Sequence, residues 1–270
     1  MNTKFLNQGN GKIAYDVEGE GPLVVCVPSL GDLRGEYRFL RPMLVKAGFR
    51  VATMDVRGHG ETSKNWDDFS VAGIGEDILA LIREINAGTA VVVGTSMGGG
   101  AAIWAAVEAP ELVRGMIPID PFVDGDGNRL QELLLSVMFA RPWGPSTWLK
   151  YYASLYPTRK PVDFDEYSMA LQANLKERGR LEAVMQMLYA SKVSSGERMP
   201  KVKQPALILM GSKDRDFKDP EAEAKRIAEA LSGKYVMIDG AGHYPHAEMP
   251  ETTAPLILEF MQSLDGKKGN

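Results

Sequence analysis

The sequence predicts an α/β protein in which helices flank a mostly parallel sheet and a helical segment interrupts the chain. Short apolar runs of strand length alternate with segments of helical periodicity in two separate parts of the 270-residue chain. About eighty residues between these two parts contain helical patterns only, punctuated by proline and glycine. Strands that alternate with helices pair in parallel through right-handed crossovers, which places helices on both faces of the sheet.

The first alternating part extends to residue 119. It opens with two strand candidates, 3–7 and 13–18, which a Gly-Asn-Gly turn joins into a hairpin. Continuous apolar runs then favour buried strands, and segments with apolar residues three or four positions apart favour helices. The predicted strands are 23–27, 50–54, 90–93 and 115–119, and the predicted helices are 37–47, 71–85 and 97–108.

The second alternating part begins at residue 205 and completes the predicted sheet. Its elements are the strands 206–210 and 235–238 and the helices 220–231 and 250–264. The intervening segment contains four helix candidates, at 128–139, 146–156, 164–176 and 180–191. We therefore predict a core that comprises residues 1–121 and 201–270, and a helical insertion that comprises residues 122–200.

Composition and charge exclude several classes of protein. The hydrophobic fraction of 44% and the charged fraction of 24% are ordinary for a soluble globular chain. A formal net charge of −4 gives no reason to expect nucleic acid or a membrane surface as a partner. The chain has no apolar run of about 18 residues, and its N-terminus lacks the apolar segment of a signal peptide. Because the single cysteine, Cys26, lies in a strand candidate, it is predicted to be an inert core thiol, and we expect a cytoplasmic protein.

The segment Gly94-Thr95-Ser96-Met97-Gly98 is the strongest indication of chemistry. A buried strand candidate precedes it and a helix candidate of small residues follows, so Ser96 is predicted to lie in a sharp strand-to-helix turn. Glycines two positions away on both sides permit a strained backbone and close packing of the neighbouring elements. Such a turn exposes the hydroxyl beside the N–H groups of a helix N-terminus. We therefore predict that Ser96 is a nucleophile.

A serine nucleophile needs a base within hydrogen-bond reach, and histidine is the usual one. The chain has three histidines. His243 follows the strand candidate 235–238, and the carboxyl ends of parallel strands meet at one edge of the sheet. We therefore predict His243 as the base, with His59 and His246 as alternatives.

The base needs an acid that orients its ring, and this acid is expected after another strand. Asp214 directly follows the strand candidate 206–210 and is the predicted partner. Asp120, after the preceding strand, is a second candidate, whereas Asp216 is interpreted as a solvated loop charge. The order serine, aspartate, histidine along the chain differs from the orders in chymotrypsin and subtilisin.

With these motifs in this order, the chain resembles the α/β-hydrolase fold superfamily, in the branch of small cofactor-free hydrolases with a helical cap. The resemblance rests on the turn at Ser96, on residues 55–63, on Gly211-Ser212-Lys213-Asp214 and on residues 242–251. It implies an eight-stranded sheet, a cap formed by the insertion, and catalysis without a cofactor or a metal. It also implies that residues 55–63 have a mainly structural role near the site.

The resemblance further implies an oxyanion hole. Its two donors map to the backbone N–H groups of Leu30 and Met97. Members of the family commonly carry His-Gly where this chain has Pro28-Ser29. Because the donor is a backbone group, this replacement can preserve the hole, and Ser29 can add a hydroxyl contact.

The predicted function is hydrolysis of a small, largely apolar ester, lactone or related acyl compound by a Ser-His-Asp triad. Alternatives that keep the triad are C–C bond hydrolysis, acyl transfer and perhydrolysis. Another alternative is a slow-turnover receptor for a small molecule that engages a protein partner, which an exposed apolar patch on the cap would favour. The sequence leaves the oligomeric state open. Pocket walls favour aromatic and methionine side chains, and the predicted substrate-binding residues are Ser29, Trp143, Trp148, Tyr152, Met185 and Tyr244.

Overall fold

The computed structural model describes residues 2–124 and 129–265, and in this part of the chain eight strands form one sheet. The strand order across the sheet is β1-β2-β4-β3-β5-β6-β7-β8. β2 pairs antiparallel with both β1 and β4, and the remaining neighbours pair in parallel. The predicted fold class is therefore confirmed. The strands are β1 Lys4–Gln8, β2 Gly11–Glu18, β3 Leu23–Val27, β4 Arg50–Met54, β5 Ala90–Thr95, β6 Val113–Ile119, β7 Leu207–Gly211 and β8 Lys234–Ile238.

Helices cover both faces of this sheet, and five further α-helices lie between β6 and β7 in the described sequence. The helices of the first part are α1 Leu40–Lys46, α2 Val71–Ile85 and α3 Met97–Glu108. Those between β6 and β7, called the insert helices below, are α4 Arg129–Met138, α5 Gly144–Ser154, α6 Phe164–Lys176, α7 Arg180–Tyr189 and α8 Val193–Gly196. The last part contains α9 Pro220–Ala230, α10 Pro245–Glu248 and α11 Pro250–Asp265.

Most predicted elements are present, and the differences have local causes. The predicted helix 37–47 is a 3-10 turn over Arg34–Tyr37 followed by α1, which begins only at Leu40. Pro42 has no N–H to bond within a helix that begins at residue 37, but it fits the first turn of a helix that begins at residue 40. The four-residue helices α8 and α10 were not predicted. Asn128, the predicted start of the first insert helix, and residues 266–270 of the predicted core lie outside the described residues.

The central strand β3 shows how the sheet is buried on both faces. Val24 and Cys26 belong to a buried cluster that includes side chains of α1 and α11, whereas Val25 and Val27 belong to a second cluster that includes side chains of α2 and α3. All five residues of β3 are fully buried, which explains why the strand reads as a continuous apolar run. Burial raises the pKa of the Cys26 thiol far above its ordinary value, so this cysteine is the inert core residue that the sequence predicts.

The insert helices pack over the carboxyl edge of the sheet through aromatic side chains and a few hydrogen bonds. Tyr152 and Tyr156 of this segment contact Tyr244, which follows β8, with ring centroids 5.4 and 5.2 Å apart. The backbone N–H of His243 donates to the carbonyl of Leu155 at 3.1 Å. The indole N–H of Trp148 donates to the Gly31 carbonyl, also at 3.1 Å. The insert therefore closes over the loops that carry the predicted site.

Within the described residues, no helix combines the length and the apolar composition that crossing a bilayer would require.

Candidate active site

Ser96 lies in a strained turn between β5 and α3. Its backbone has φ +56° and ψ −119°, a left-handed conformation that a non-glycine residue rarely adopts. The flanking glycines make room for the turn. A Cβ atom on Gly94 would lie 2.3 Å from the Gly98 carbonyl oxygen, and one on Gly98 would lie 2.4 Å from that of Val27. The turn therefore requires glycine at both positions and presents Ser96 to a cavity beneath the insert helices.

His243 lines the same cavity and is bonded to Asp214. His243 Nδ1 lies 2.6 Å from Asp214 Oδ2, and both side chains are almost fully buried. The other oxygen of Asp214 accepts the backbone N–H of Asp216 at 2.9 Å. Because Asp214 accepts the Nδ1 proton, the imidazole keeps Nε2 for exchange of a proton with a nucleophile. The structure thus brings three predicted residues, Ser96, His243 and Asp214, to one place.

The electrostatics of this pair favour the charged imidazole. Burial opposes protonation of His243, but the charge of Asp214 and its hydrogen bond outweigh burial and raise the pKa of His243 to about 9. Burial alone would raise the pKa of Asp214, yet the charge of His243 and its hydrogen bond hold it below the ordinary value. Both shifts therefore favour the state in which His243 is protonated and Asp214 is ionised.

The pH dependence of turnover is expected to report this ion pair. A general base must be neutral, and the neutral fraction of His243 grows as pH rises through its raised pKa. We expect kcat/KM to increase with pH, with a midpoint above the 6.5 of an ordinary histidine. In Asp214→Asn the charge that stabilises the imidazolium is lost, so the midpoint should move to lower pH. A midpoint that is the same in both proteins would contradict the assigned partner; the measurement is kcat/KM from pH 5 to 10 on one ester.

Asp120 lies behind this pair, at the end of β6. It is fully buried, and its Oδ1 accepts the Gly211 N–H at 2.9 Å. Side-chain atoms of Asp120, Asp214 and His243 lie within 4.8 Å of one another. Burial and the charge of Asp214 raise the pKa of Asp120 well above its ordinary value. Among the described residues Asp120 Oδ2 has no hydrogen-bond donor, and a neutral Asp120 can instead donate its own proton to Asp214.

Asp216 differs from its interpretation as a solvated loop charge. It lines the cavity, its side chain is only 13% exposed, and it accepts a hydrogen bond from the Tyr151 hydroxyl. Its Oδ2 lies 3.9 Å from His243 Nδ1, farther than Asp214 Oδ2. No sequence pattern indicates this burial, because Tyr151 comes from the insert helix α5.

The two remaining histidines have other partners. His59 accepts the Gly31 N–H at Nε2, 2.9 Å away, and its Nδ1 lies 2.8 Å from the carbonyl oxygen of Arg57. Burial lowers the pKa of His59 to about 4, so the ring stays neutral and supports the loop after β3. His246 stacks on Tyr37, and its Nε2 lies 3.1 Å from Glu36 Oε1. Neither histidine is among the described residues that line the cavity.

The loop after β3 is held so that one N–H group stays available. The Ser29 N–H donates to Glu36 Oε2 at 2.8 Å, and the Gly31 N–H donates to His59. Between them, the Leu30 N–H has no acceptor in the part of the chain that the structure describes. Met97 is the first residue of α3, where a helix leaves its N–H groups unpaired. Both predicted oxyanion donors lie at the cavity. Glu36, which no sequence pattern singled out, holds this loop together with His59.

The cavity has a volume of about 270 Å³ and mostly apolar walls. Ser96 and His243 lie at its wall beside the loop after β3, and the insert helices supply much of the remainder. Lys192 and Asp216 are the charged side chains among the described lining residues apart from His243. The insert contributes apolar side chains, namely Leu135, Met138, Phe139, Trp148, Leu155 and Leu188. The arrangement suits a small ligand with an apolar body.

The six predicted substrate-binding residues divide into two groups. Ser29, Trp148 and Tyr244 line the cavity. Trp143 instead lies 52% exposed on the surface, where its indole N–H donates to the Val137 carbonyl. Tyr152 is buried in the aromatic cluster of the insert, and Met185 lines a separate shallow depression. The structure does not place these last three residues at the cavity, because their helices turn those positions toward solvent or toward neighbouring helices.

Asp120, Asp214 and His243 are the described residues whose spacing could suit a metal ion. The hydrogen bond between His243 Nδ1 and Asp214 Oδ2 already occupies one potential ligand atom of each of these two residues. The arrangement therefore suits proton transfer.

A serine on a strand–turn–helix motif, beside a histidine–aspartate pair at the carboxyl edge of an α/β sheet, defines the class of α/β hydrolases. Residues 24–256 match the model of the alpha/beta hydrolase family, and the chain belongs to this family.

Several known proteins are similar over nearly their whole length. The 2-(acetamidomethylene)succinate hydrolase of Mesorhizobium japonicum is 24% identical over 273 residues, which cover 94% of this chain and 93% of that protein. The enol-lactonase of Burkholderia xenovorans LB400 is 20% identical with a TM-score of 0.81, over 96% and 100% of the two chains. An esterase from Exiguobacterium antarcticum is 17% identical with a TM-score of 0.80, over 93% and 96%. The two structural likenesses establish a shared fold.

Proposed function

We propose that the protein is a serine hydrolase that cleaves a small, largely apolar ester, lactone or related acyl compound. One observation carries this proposal: Ser96, in a strained turn, lines the same apolar cavity as His243, whose Nδ1 is bonded to Asp214. A relative named as a hydrolase and structural neighbours named as an enol-lactonase and an esterase support the same reaction class.

The proposed mechanism follows from these positions. Ser96 attacks the carbonyl carbon of the substrate while His243 Nε2 accepts the hydroxyl proton, and Asp214 stabilises the imidazolium. The N–H groups of Leu30 and Met97 bind the oxyanion of the tetrahedral intermediate, and a donor of this kind is typically worth about 3 kcal/mol in the transition state. His243 then protonates the leaving group. Water, activated by the same histidine, releases the acid from Ser96, and no cofactor takes part.

Covalent labelling tests the proposed nucleophile directly. A fluorophosphonate reacts only with a serine that a neighbouring base activates, so we expect one adduct per chain, mapped to Ser96 by peptide mass spectrometry. Heat-denatured protein should remain unlabelled because the base and the serine are then apart. An adduct on another residue, or equal labelling of folded and denatured protein, would contradict the proposal.

A slow-turnover receptor is the second candidate function, and one surface feature favours it. Leu133, Leu134 and Val137 on α4 are 62%, 59% and 59% exposed, and Trp143 lies close behind in sequence. Exposed apolar side chains in such a group are typical of sites that contact other molecules. Turnover below about one per minute, together with ligand-dependent binding of a protein to α4, would favour the receptor. Rapid turnover, together with protein binding that is the same in Val137→Lys as in the wild type, would favour the metabolic enzyme.

A further inference from the structure

Two hydroxyl groups beside the candidate oxyanion hole have no role in the mechanism above. The Ser29 and Tyr244 oxygens lie 2.8 Å apart, and both residues are 2% exposed. Both residues line the cavity, and Ser29 directly precedes Leu30. A polar pair in a mostly apolar wall, next to the site of the scissile carbonyl, is a means of selecting substrates.

The neighbouring carboxylate fixes the direction of these hydrogen bonds. Glu36 Oε2 accepts the backbone N–H of Ser29 at 2.8 Å and the Ser29 hydroxyl at 3.0 Å. A hydroxyl has one proton, so Ser29 can only accept from Tyr244, and Tyr244 must donate to Ser29. His246 Nε2 lies 3.1 Å from the other oxygen of Glu36, so Oε2 is the oxygen that accepts both hydrogen bonds from Ser29.

The surroundings of Tyr244 keep this arrangement in place. Burial, followed by the charges of Asp32 and Glu36, raises the pKa of the Tyr244 phenol well above its ordinary value, so the hydroxyl keeps its proton. The ring stacks on Tyr156 with centroids 5.2 Å apart, which restricts its rotation. Since its single proton is committed to Ser29, the Tyr244 oxygen has only lone pairs to offer a ligand.

The acidic groups behind the loop determine which ligand group fits. Asp32 is fully buried, and burial together with the charge of Glu36 raises its pKa to about 7. A substrate carboxylate near Tyr244 would meet an acceptor and the negative field of Glu36. A neutral hydrogen-bond donor would avoid both the contact between two acceptors and the repulsion by Glu36. It would also donate a hydrogen bond to the Tyr244 oxygen.

We propose that the Tyr244 oxygen, oriented by Ser29 and Glu36, selects acyl substrates that carry a neutral hydroxyl or amide N–H donor close to the scissile carbonyl. This inference rests on the proposed hydrolysis at Ser96. It narrows the substrate class from small apolar acyl compounds to hydroxyacyl or acylamino compounds with an apolar remainder. Tyr244 is a specificity residue in this scheme, and Ser29 and Glu36 position it.

Matched ester pairs test the proposal. The hydroxyl arm compares p-nitrophenyl 3-hydroxybutyrate with its 3-methoxy analogue, and the amide arm compares the p-nitrophenyl esters of N-acetylglycine and N-acetyl-N-methylglycine. We expect the donor compound to have a kcat/KM about tenfold higher in at least one arm, and the arm that responds identifies the donor. In Tyr244→Phe the ratio should fall to about the ratio of spontaneous hydrolysis rates, because the acceptor is gone. Tyr156→Phe, which removes a buried hydroxyl outside the described lining residues, should retain the ratio.

Failure of this inference can be separated from failure of the proposed function. Hydrolysis of plain p-nitrophenyl butyrate tests the function, whereas the ratio within a pair tests the inference. If no ester is hydrolysed, the NMR-titration Kd values of methyl 3-hydroxybutyrate and methyl 3-methoxybutyrate are compared on the Ser96→Ala protein and on the same protein with Tyr244→Phe. Equal ratios in wild type and Tyr244→Phe, equal affinities, or no binding of the hydroxy ester would overturn the inference.

Discussion

Ser96→Ala is expected to lower kcat/KM for p-nitrophenyl butyrate by at least about ten-thousand-fold. The change removes Ser96 Oγ, the atom that forms the acyl intermediate in the proposed mechanism. His243 then has no hydroxyl to deprotonate. Alanine carries the same Cβ as serine, so the strained turn at φ +56° should form as before. No hydrogen bond from the Ser96 hydroxyl contributes to the described structure, and we expect an unchanged melting temperature.

The appropriate control removes a serine hydroxyl elsewhere. Ser263 is exposed on α11, and its hydroxyl donates to the backbone carbonyl of Phe260 in the same helix. Ser263→Ala should therefore retain the full rate. Steady-state kinetics and circular dichroism on the three proteins give the comparison. Turnover in folded Ser96→Ala above about one percent of the wild-type rate would mean that another group is the nucleophile.

The sheet and its flanking helices could be predicted because their signals are local. A strand buried on both faces, such as Leu23–Val27, must be apolar throughout, and an amphipathic helix such as Val71–Ile85 must repeat its apolar residues at helical spacing. The turn at Ser96 could be predicted as well, because its glycines are required by backbone atoms four residues away along the chain or on the adjacent strand. The apolar strand before the turn and the helix of small residues after it are also visible in the sequence, and both are needed to predict a nucleophile at Ser96.

The cavity walls could not be predicted in the same way. Which face of an insert helix meets the core depends on how the helix is rotated, and aromatic residues serve the packing of the insert as well as they serve a pocket. Trp148 reaches the cavity and Tyr152, one turn further along α5, packs inside the insert. Both are nearly fully buried aromatic residues. Sequence spacing alone therefore cannot separate a wall residue from a core residue.

Glu36 illustrates a second limit. It lies in a 3-10 turn with charged neighbours in sequence, a pattern typical of an exposed loop. Its burial depends on Ser29, which is 7 residues away in sequence and donates to Oε2, and on His246 from a distant segment, whose Nε2 lies beside Oε1. Polar groups of this kind are recognisable only after the fold has brought their partners together.

The second large effect concerns the choice of acid. Asp214→Asn is expected to lower kcat/KM by roughly ten-thousand-fold, because an amide cannot stabilise the imidazolium and can hold the wrong tautomer of His243. Asp120→Asn is expected to cost less than about tenfold. The structure places Asp120 Oδ1 as an acceptor for Gly211 and leaves its second oxygen next to Asp214. Asparagine reproduces both functions of a neutral aspartic acid there, since its oxygen accepts and its amide donates.

Asp120→Ala provides the contrast that makes this result specific. Alanine removes the donor to Asp214 and the acceptor for Gly211, leaving two buried polar groups without partners, so both activity and melting temperature should fall. Rescue by asparagine but not by alanine would establish that Asp120 acts in its neutral form. If Asp120→Asn instead lost activity as completely as Asp214→Asn, the charge of Asp120 would be essential. If Asp120→Asn lost activity while Asp214→Asn kept nearly normal activity, Asp120 at the end of β6 would be the acid that orients His243. The ring of His243 would then have to turn toward β6 during catalysis.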